Sequence, residues 1–302
     1  MNDAKFKSEY KKAVDSISLP ENYKNMIISE LSQEKNSHNR RYFYIKVLAS
    51  VAAVLVIAFC VGVFAKNFAF PINNPEEVSF KIMSATNLGA VKGARVAFVN
   101  TSKKGKEIVS VADEKGVVTA TLSKDDEYKA YVTAEGYIDY ELADFQSGNV
   151  YISPEMDEDT YRAVLMWQGD CDLDAFLTVS RGDEKEQLHY FKSDIKDENG
   201  DVIAALDTDS ASGSAPETVT FNAQNDEVFT FSVGSYSALK DKSANISDSE
   251  PRVLLYKGKE LLKEFSISSE AKGNVWTVFE IEEKVLSELC DVYSVESFED
   301  VK

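Results

Sequence analysis

The chain has 302 residues, with 51 Asp and Glu against 33 Lys and Arg, for a formal charge of −18. That length leaves room for two ordinary domains beyond a short tail. The acidity argues against binding nucleic acid or anionic lipid through bulk charge.

The first 42 residues read as a short helical tail. Phe6, Tyr10, Val14 and Ile17 share one helix face over 4–17, and Tyr23, Met26, Ile27 and Leu31 share another over 22–34. Pro20 and Glu21 suit a first helical turn, with Ser18 as its cap. The pair is too small to bury both stripes alone, so they must pack together, onto a partner, or onto the membrane face. Residues 43–66 then read as a transmembrane helix. Its apolar run opens at Val47, closes at Ala65 and holds no charge, and a span needs about 20 apolar residues. Tyr42, Phe43, Tyr44, Phe68 and Phe70 flank it as interfacial anchors. Up to Lys46, nine basic residues against six acidic ones leave +3, so the remainder carries −21. Arg40, Arg41 and Lys46 abut the span, which puts the N-terminus in the cytoplasm and the acidic bulk outside. A cleaved signal peptide is the alternative, with Val63 and Ala65 at the peptidase site. The run exceeds the roughly 7–15 residues of a signal core and lies far from the start of the chain.

Residues 67–78 read as a linker, with Pro71 and Pro75 stiffening it. From there the pattern becomes short runs with a turn signal every 8–12 residues, and the expected fold class is mainly β: two extracytoplasmic β-sandwiches on a single transmembrane helix. In the first, 79–155, strands are expected at 96–99, 108–111, 117–122 and 128–134. In the second, 160–283, they are expected at 161–167, 173–179, 187–191, 202–206, 217–221, 228–236, 252–256, 263–267 and 275–281. Trp167 and Trp276 read as its core. Arg181-Gly182-Asp183 reads as a hairpin turn. Residues 284–302 read as a short amphipathic helix through Val285, Leu286 and Leu289, followed by a mobile acidic tail. Cys171 and Cys290 both fall outside the membrane, where a disulfide between them is possible.

The acids of the second sandwich form two groups, Asp170, Asp172 and Asp174, then Asp207 and Asp209, with Glu217 beyond a turn. Alternate positions on an extended chain share a face, so each group presents its carboxylates together. Oxygen ligands at this density suit Ca²⁺, although the Gly and Glu that complete an EF-hand loop are missing. The competing reading makes them turn-capping aspartates at strand ends. The two histidines, His38 and His189, are too far apart in sequence for H-E-x-x-H, and no G-x-S-x-G elbow or phosphate-binding glycine loop occurs. The chain therefore reads as non-enzymatic.

Three resemblances add to this. Phe6, Ile17, Leu19, Pro20, Glu21 and Lys24 resemble the cytosolic end of membrane-bound anti-sigma factors, which implies a sigma factor as partner of residues 1–42. The tail lacks the zinc-binding His-Cys-Cys set of many such domains. Gly93-Ala94-Arg95-Val96, Asp113 through Gly116, and Tyr131 through Tyr137 resemble the carboxypeptidase regulatory-like domain, a transthyretin-type sandwich. That implies a spacer or partner-recognition module, with Asp113 opening the turn before Gly116. Trp167, the Asp172-Leu173-Asp174 run, Asp207, Asp209, Pro216-Glu217 and Trp276 through Phe279 resemble a bacterial extracytoplasmic β-sandwich family of unknown function. The loop over 211–215 departs from that family's Gly-Tyr-Gly. Together these imply a membrane-anchored interaction protein with an envelope protein or glycan as ligand. The alternatives are an anti-sigma-like sensor and, third, an envelope hydrolase.

Overall fold

The computed structural model describes residues 72, 74–103, 106–142, 148–223 and 227–301. The expected cytoplasmic tail and the span from Val47 to Ala65 lie outside the described residues. Among the described residues, no helix is long and apolar enough to cross a membrane. The described residues are mainly β, with eighteen strands in four sheets among them.

The first seven strands are β1 (Pro75–Ser84), β2 (Arg95–Asn100), β3 (Glu107–Val111), β4 (Val117–Ser123), β5 (Tyr128–Thr133), β6 (Tyr140–Leu142) and β7 (Asn149–Ile152). They form one sheet in the order β4-β1-β7 and another in the order β3-β2-β5-β6. Alternate residues of each strand face inward, so Phe80, Ile82, Val96, Phe98, Val118, Val132 and Ile152 make one core. The rings of Phe80 and Phe98 meet edge to face at 6.2 Å. The end of the expected linker belongs to this sheet instead: Pro75, Glu76 and Glu77 pair with Ser123, Leu122 and Thr121. Proline is tolerated there because it opens the strand. Asp113 accepts the backbone N–H of Lys115 and of Val117, each at 2.8 Å, and so closes the turn before Gly116. Gly116 sits at φ +77°, and a Cβ on it would come within 2.5 Å of the Ile82 carbonyl oxygen. Only glycine fits.

The remaining strands are β8 (Thr160–Met166), β9 (Leu173–Arg181), β10 (Glu184–Leu188), β11 (Asp194–Lys196), β12 (Val202–Thr208), β13 (Glu217–Asn222), β14 (Val228–Ser235), β15 (Arg252–Lys257), β16 (Glu260–Ser266), β17 (Val275–Glu282) and β18 (Val285–Tyr293). A single-turn helix, α1 (Tyr236–Lys240), follows β14. One sheet runs β11-β12-β13-β8-β15-β16 and faces another running β10-β9-β14-β17-β18. Between them lie Trp276, Tyr161, Phe221, Phe229, Phe231, Phe279 and Leu177, all at most 1 % exposed, with Trp167 at 5 %. Both tryptophans are therefore core residues. The Arg181-Gly182-Asp183 segment is a hairpin turn, since Arg181 pairs with Glu184 and Gly182 has φ 60°. Arg181 also has a structural role, because its Nε donates to Glu227 at 2.6 Å.

Two expectations for the C-terminus are overturned. Val285–Tyr293 is a strand, not a helix, and it pairs with β17 from Glu282–Val285 onward. Glu283 and Lys284 both take positive φ, 50° and 62°, which makes the two-residue hairpin turn that matches strand twist. The tail beyond it is docked. Asn274 donates through Nδ2 to the Val295 carbonyl and accepts the Val295 N–H, both at 2.9 Å. Val295 and Val301 are buried with Phe176 and Val275, and Phe298 packs on Phe176 at 5.2 Å. Gly234 makes room for this, because a Cβ there would come within 2.8 Å of both phenyl rings. Cys171 and Cys290 are both free.

The two strand sets touch directly. Ala85 and Ile138 of the first are buried with Val164, Leu254 and Tyr256 of the second. The Ala85 carbonyl accepts from Thr218 Oγ1 at 2.7 Å and Thr208 Oγ1 at 3.4 Å. Tyr151 donates its hydroxyl to the Ser214 carbonyl at 2.7 Å.

Candidate binding site at the acidic end of the second sandwich

Glu217 opens β13 and points into the space between the sheets, where it is 2 % exposed. One carboxyl oxygen accepts the Ala175 N–H of β9 at 2.6 Å, and the other accepts the Ser210 N–H at 3.3 Å. It thus ties the two sheets and the loop after β12 at one end of the sandwich. Burial, then a hydrogen bond with Asp209, pushes its pKa up to about 10. At neutral pH Glu217 therefore keeps its proton.

Asp172 and Asp174 sit at the start of β9, two residues apart on one face as the alternation requires. Asp174 is 7 % exposed, with carboxyl oxygens that still reach solvent and that no donor among the described residues meets. Burial, then the charges of Asp172 and Asp209, raises its pKa to about 7. Asp172 is shifted upward by burial and by Asp209. The backbone around Asp172 is fixed by α1: the Tyr236 N–H donates to the Asp172 carbonyl at 3.0 Å, and the Asp172 N–H donates to Ser237 Oγ at 3.2 Å. Ser235 caps that helix by accepting the Ala238 N–H. On the other side, the Gly213 N–H donates to the Gly169 carbonyl at 2.9 Å. A Cβ on Gly213 would lie 2.4 Å from the Trp167 carbonyl oxygen. The loops carrying the two acid groups are clasped together through that glycine.

Four of the six expected acids therefore act on one another: Asp172, Asp174, Asp209 and Glu217. Asp170 is exposed on the preceding loop. Asp207 is turned away, because the pairing of β12 with β13 slips between Leu206 and Thr208. That bulge breaks the alternation which would have set Asp207 beside Asp209. Its side chain accepts from Thr220 Oγ1 and lies 3.8 Å from the Arg162 guanidinium. Arg162, 7 % exposed, also donates to Thr220 Oγ1, Ser153 Oγ and the Pro154 carbonyl, each at 2.8 Å. Asp207 belongs to the contact between the two sandwiches. Among the described residues, no three His, Cys, Asp or Glu side chains are arranged to hold a metal ion.

Sequence reasoning missed the aromatic rim. The chain turns at His189–Lys192 instead of continuing as a strand to 191. The turn leaves Phe191 83 % exposed and Tyr190 39 % exposed, with their ring centroids 4.3 Å apart. Tyr236, at the head of α1, is also 39 % exposed. Burial, then Asp174, Tyr236 and Asp172, raises the Tyr190 pKa, so rim and acids share one neighbourhood. The rim rests on a stack of rings, with His189 5.5 Å from Tyr190 and 6.0 Å from Phe176. The run of three rings His189-Tyr190-Phe191 was the available signal.

No protein-family model and no curated protein matches the chain. Among solved structures, the chain is similar to a protein of unknown function, SAV2460, at 14% identity and TM-score 0.37, covering 47% of this chain and 92% of that one. It is similar to a DUF3823 family protein from Parabacteroides merdae at 10% identity and TM-score 0.22, covering 54% and 91%. A third similarity is to the major pilin SpaD of Corynebacterium diphtheriae, at 9% identity and TM-score 0.23, covering 70% and 67%.

Proposed function

We infer that the chain is a single-pass, non-enzymatic binding protein of the cell envelope. The apolar run from Val47 to Ala65 anchors it, and the basic residues before the run keep the N-terminus in the cytoplasm. The first sandwich, similar over 79–153 to a carboxypeptidase regulatory-like domain, serves as spacer. The second holds an envelope protein or glycan at its acidic, aromatic end. The observation that carries this reading is Asp174, a carboxyl 7 % exposed whose oxygens still reach solvent and meet no donor among the described residues, beside three exposed rings. A ligand that brings a charged donor to such a shielded carboxyl gains a strong hydrogen bond.

Calcium is the competing occupant of the same end, and on binding it would have to draw Asp172, Asp174 and Asp209 together, since no three described acids are arranged to hold it. Thermal unfolding of the full chain, with calcium and with chelator, tests it. Binding to the folded state alone raises stability by about 2.7 kcal/mol at a hundredfold excess over Kd. A rise abolished by Asp172→Ala gives these acids to the metal. Phe6, Ile17, Leu19, Pro20, Glu21 and Lys24 support the alternative of an anti-sigma-like sensor. In a pull-down, a sigma factor retained by the full chain and lost on deleting residues 1–42 would favour it over the binding reading.

A further inference from the structure

We propose that the acidic end of the second sandwich takes a lysine or arginine side chain from a basic segment of a partner protein, seated among Tyr190, Phe191 and Tyr236 and held by Asp172 and Asp174. The proposal rests on the binding reading and names the ligand class.

Three features converge on a cation carried by a protein. The first is Asp174: 7 % exposed, with oxygens that reach solvent and meet no donor among the described residues, and within the field of Asp172 and Asp209. Such a carboxyl is stabilised most by a donor that brings positive charge. The second is the rim. Aromatic faces attract ammonium and guanidinium groups within about 6 Å of the ring centroid. This chain already makes that contact, with Lys240 Nζ 4.6 Å from the Tyr236 centroid. The third is the mounting of the rim. Phe298 lies on Phe176 at 5.2 Å, Phe176 on His189 at 6.0 Å, and His189 is 6.3 Å from Phe191. Phe191 is 83 % exposed yet held from below, as an anchor for apolar protein surface is held.

A metal ion fits these features less well. Both Glu217 oxygens already accept backbone N–H groups. A hard cation wants six or more oxygens and gains nothing from rings. The charge of −21 beyond residue 46 steers a basic partner toward this part of the chain.

The test is calorimetric titration of the full chain, in mild detergent, with hexalysine. Four proteins are compared: wild type, Asp172→Asn, Phe191→Ala, and Glu107→Gln as a matched loss of one charge on exposed β3. The proposal expects Asp172→Asn and Phe191→Ala each to weaken binding by about fivefold, with Glu107→Gln unchanged. Equal weakening by Asp172→Asn and Glu107→Gln, with Phe191→Ala neutral, would mean attraction by bulk charge and overturn it. No hexalysine binding, together with a calcium-dependent rise in unfolding temperature, would overturn it in favour of metal and leave the binding reading standing. Neither hexalysine binding nor a calcium response would sink both.

Discussion

Glu217 shows how one residue sets the electrostatics of an end of the sandwich. Its oxygens accept N–H groups from two chain segments, and burial keeps its proton on. Replacing it with alanine leaves the Ala175 and Ser210 N–H groups without that acceptor. We expect Glu217→Ala to cost about 3 kcal/mol by denaturant unfolding. The pH dependence follows from the same geometry. Asp174 and Glu217 hold their protons more tightly folded, at about 7 and about 10, than their ordinary values of 3.8 and 4.5. Above those ordinary values the folded state binds more protons than the unfolded one, so stability falls as pH rises. Asp174 contributes that fall up to about 7, and Glu217 continues it to about 10. Unfolding temperature should therefore decline between about pH 5 and about pH 9, and Glu217→Gln should flatten the upper part. Asp113, Asp197 and Asp241 have lowered pKa values from backbone or side-chain hydrogen bonds. Their contribution is lost only as pH falls below the ordinary 3.8, in a separate range.

At the scale of elements, the hairpin between β17 and β18 carries a conformational strain that its sequence does not relieve. Glu283 and Lys284 occupy the left-handed region, at φ 50° and 62°, where side chains with a Cβ are disfavoured. Asn-Gly is the preferred pair for such a turn. The double change Glu283→Asn, Lys284→Gly should raise stability by about 1 kcal/mol, measured as a shift in the unfolding midpoint. It gives up the exposed contact of Lys284 with Asp159, which is worth little. The docked C-terminal segment gives a second expectation at this scale. Phe298→Ala removes its contact with Phe176 and should cost about 2 kcal/mol. Hydrogen exchange should then speed up at Val295, whose N–H is bonded to Asn274.

At the scale of the molecule, the two strand sets share a buried contact and belong to one compact unit, Ile72–Lys302. Ala85 inserts its carbonyl between Thr208 and Thr218, and Arg162 reaches Ser153 and Pro154. Calorimetry should accordingly show both sandwiches melting in one transition. Thr218→Val keeps the volume and removes the shorter bond to Ala85. Combined with Ile138→Ala, it should separate the transition into two.

The sequence by itself determined the strands whose apolar residues alternate or run unbroken. Burial of one face demands period two, and Val96, Phe98, Leu177 and Phe231 report it without help from the rest of the chain. It determined the Asp113–Gly116 turn, whose bonds are local, and it drew attention to the acids Asp170, Asp172, Asp174, Asp207, Asp209 and Glu217. Only the tertiary structure decided what depends on distant partners. Val285, Leu286 and Leu289 have the spacing of a helix face, and β17 overrode it by offering its edge. Asp207 left the other acids because a bulge against β13 broke the alternation, and Arg162 was there to receive it. Tyr190 and Phe191 became a rim because the chain turned before β11, with rings from β9 and the C-terminal segment beneath them. Contacts between residues far apart in the chain leave no periodicity to read.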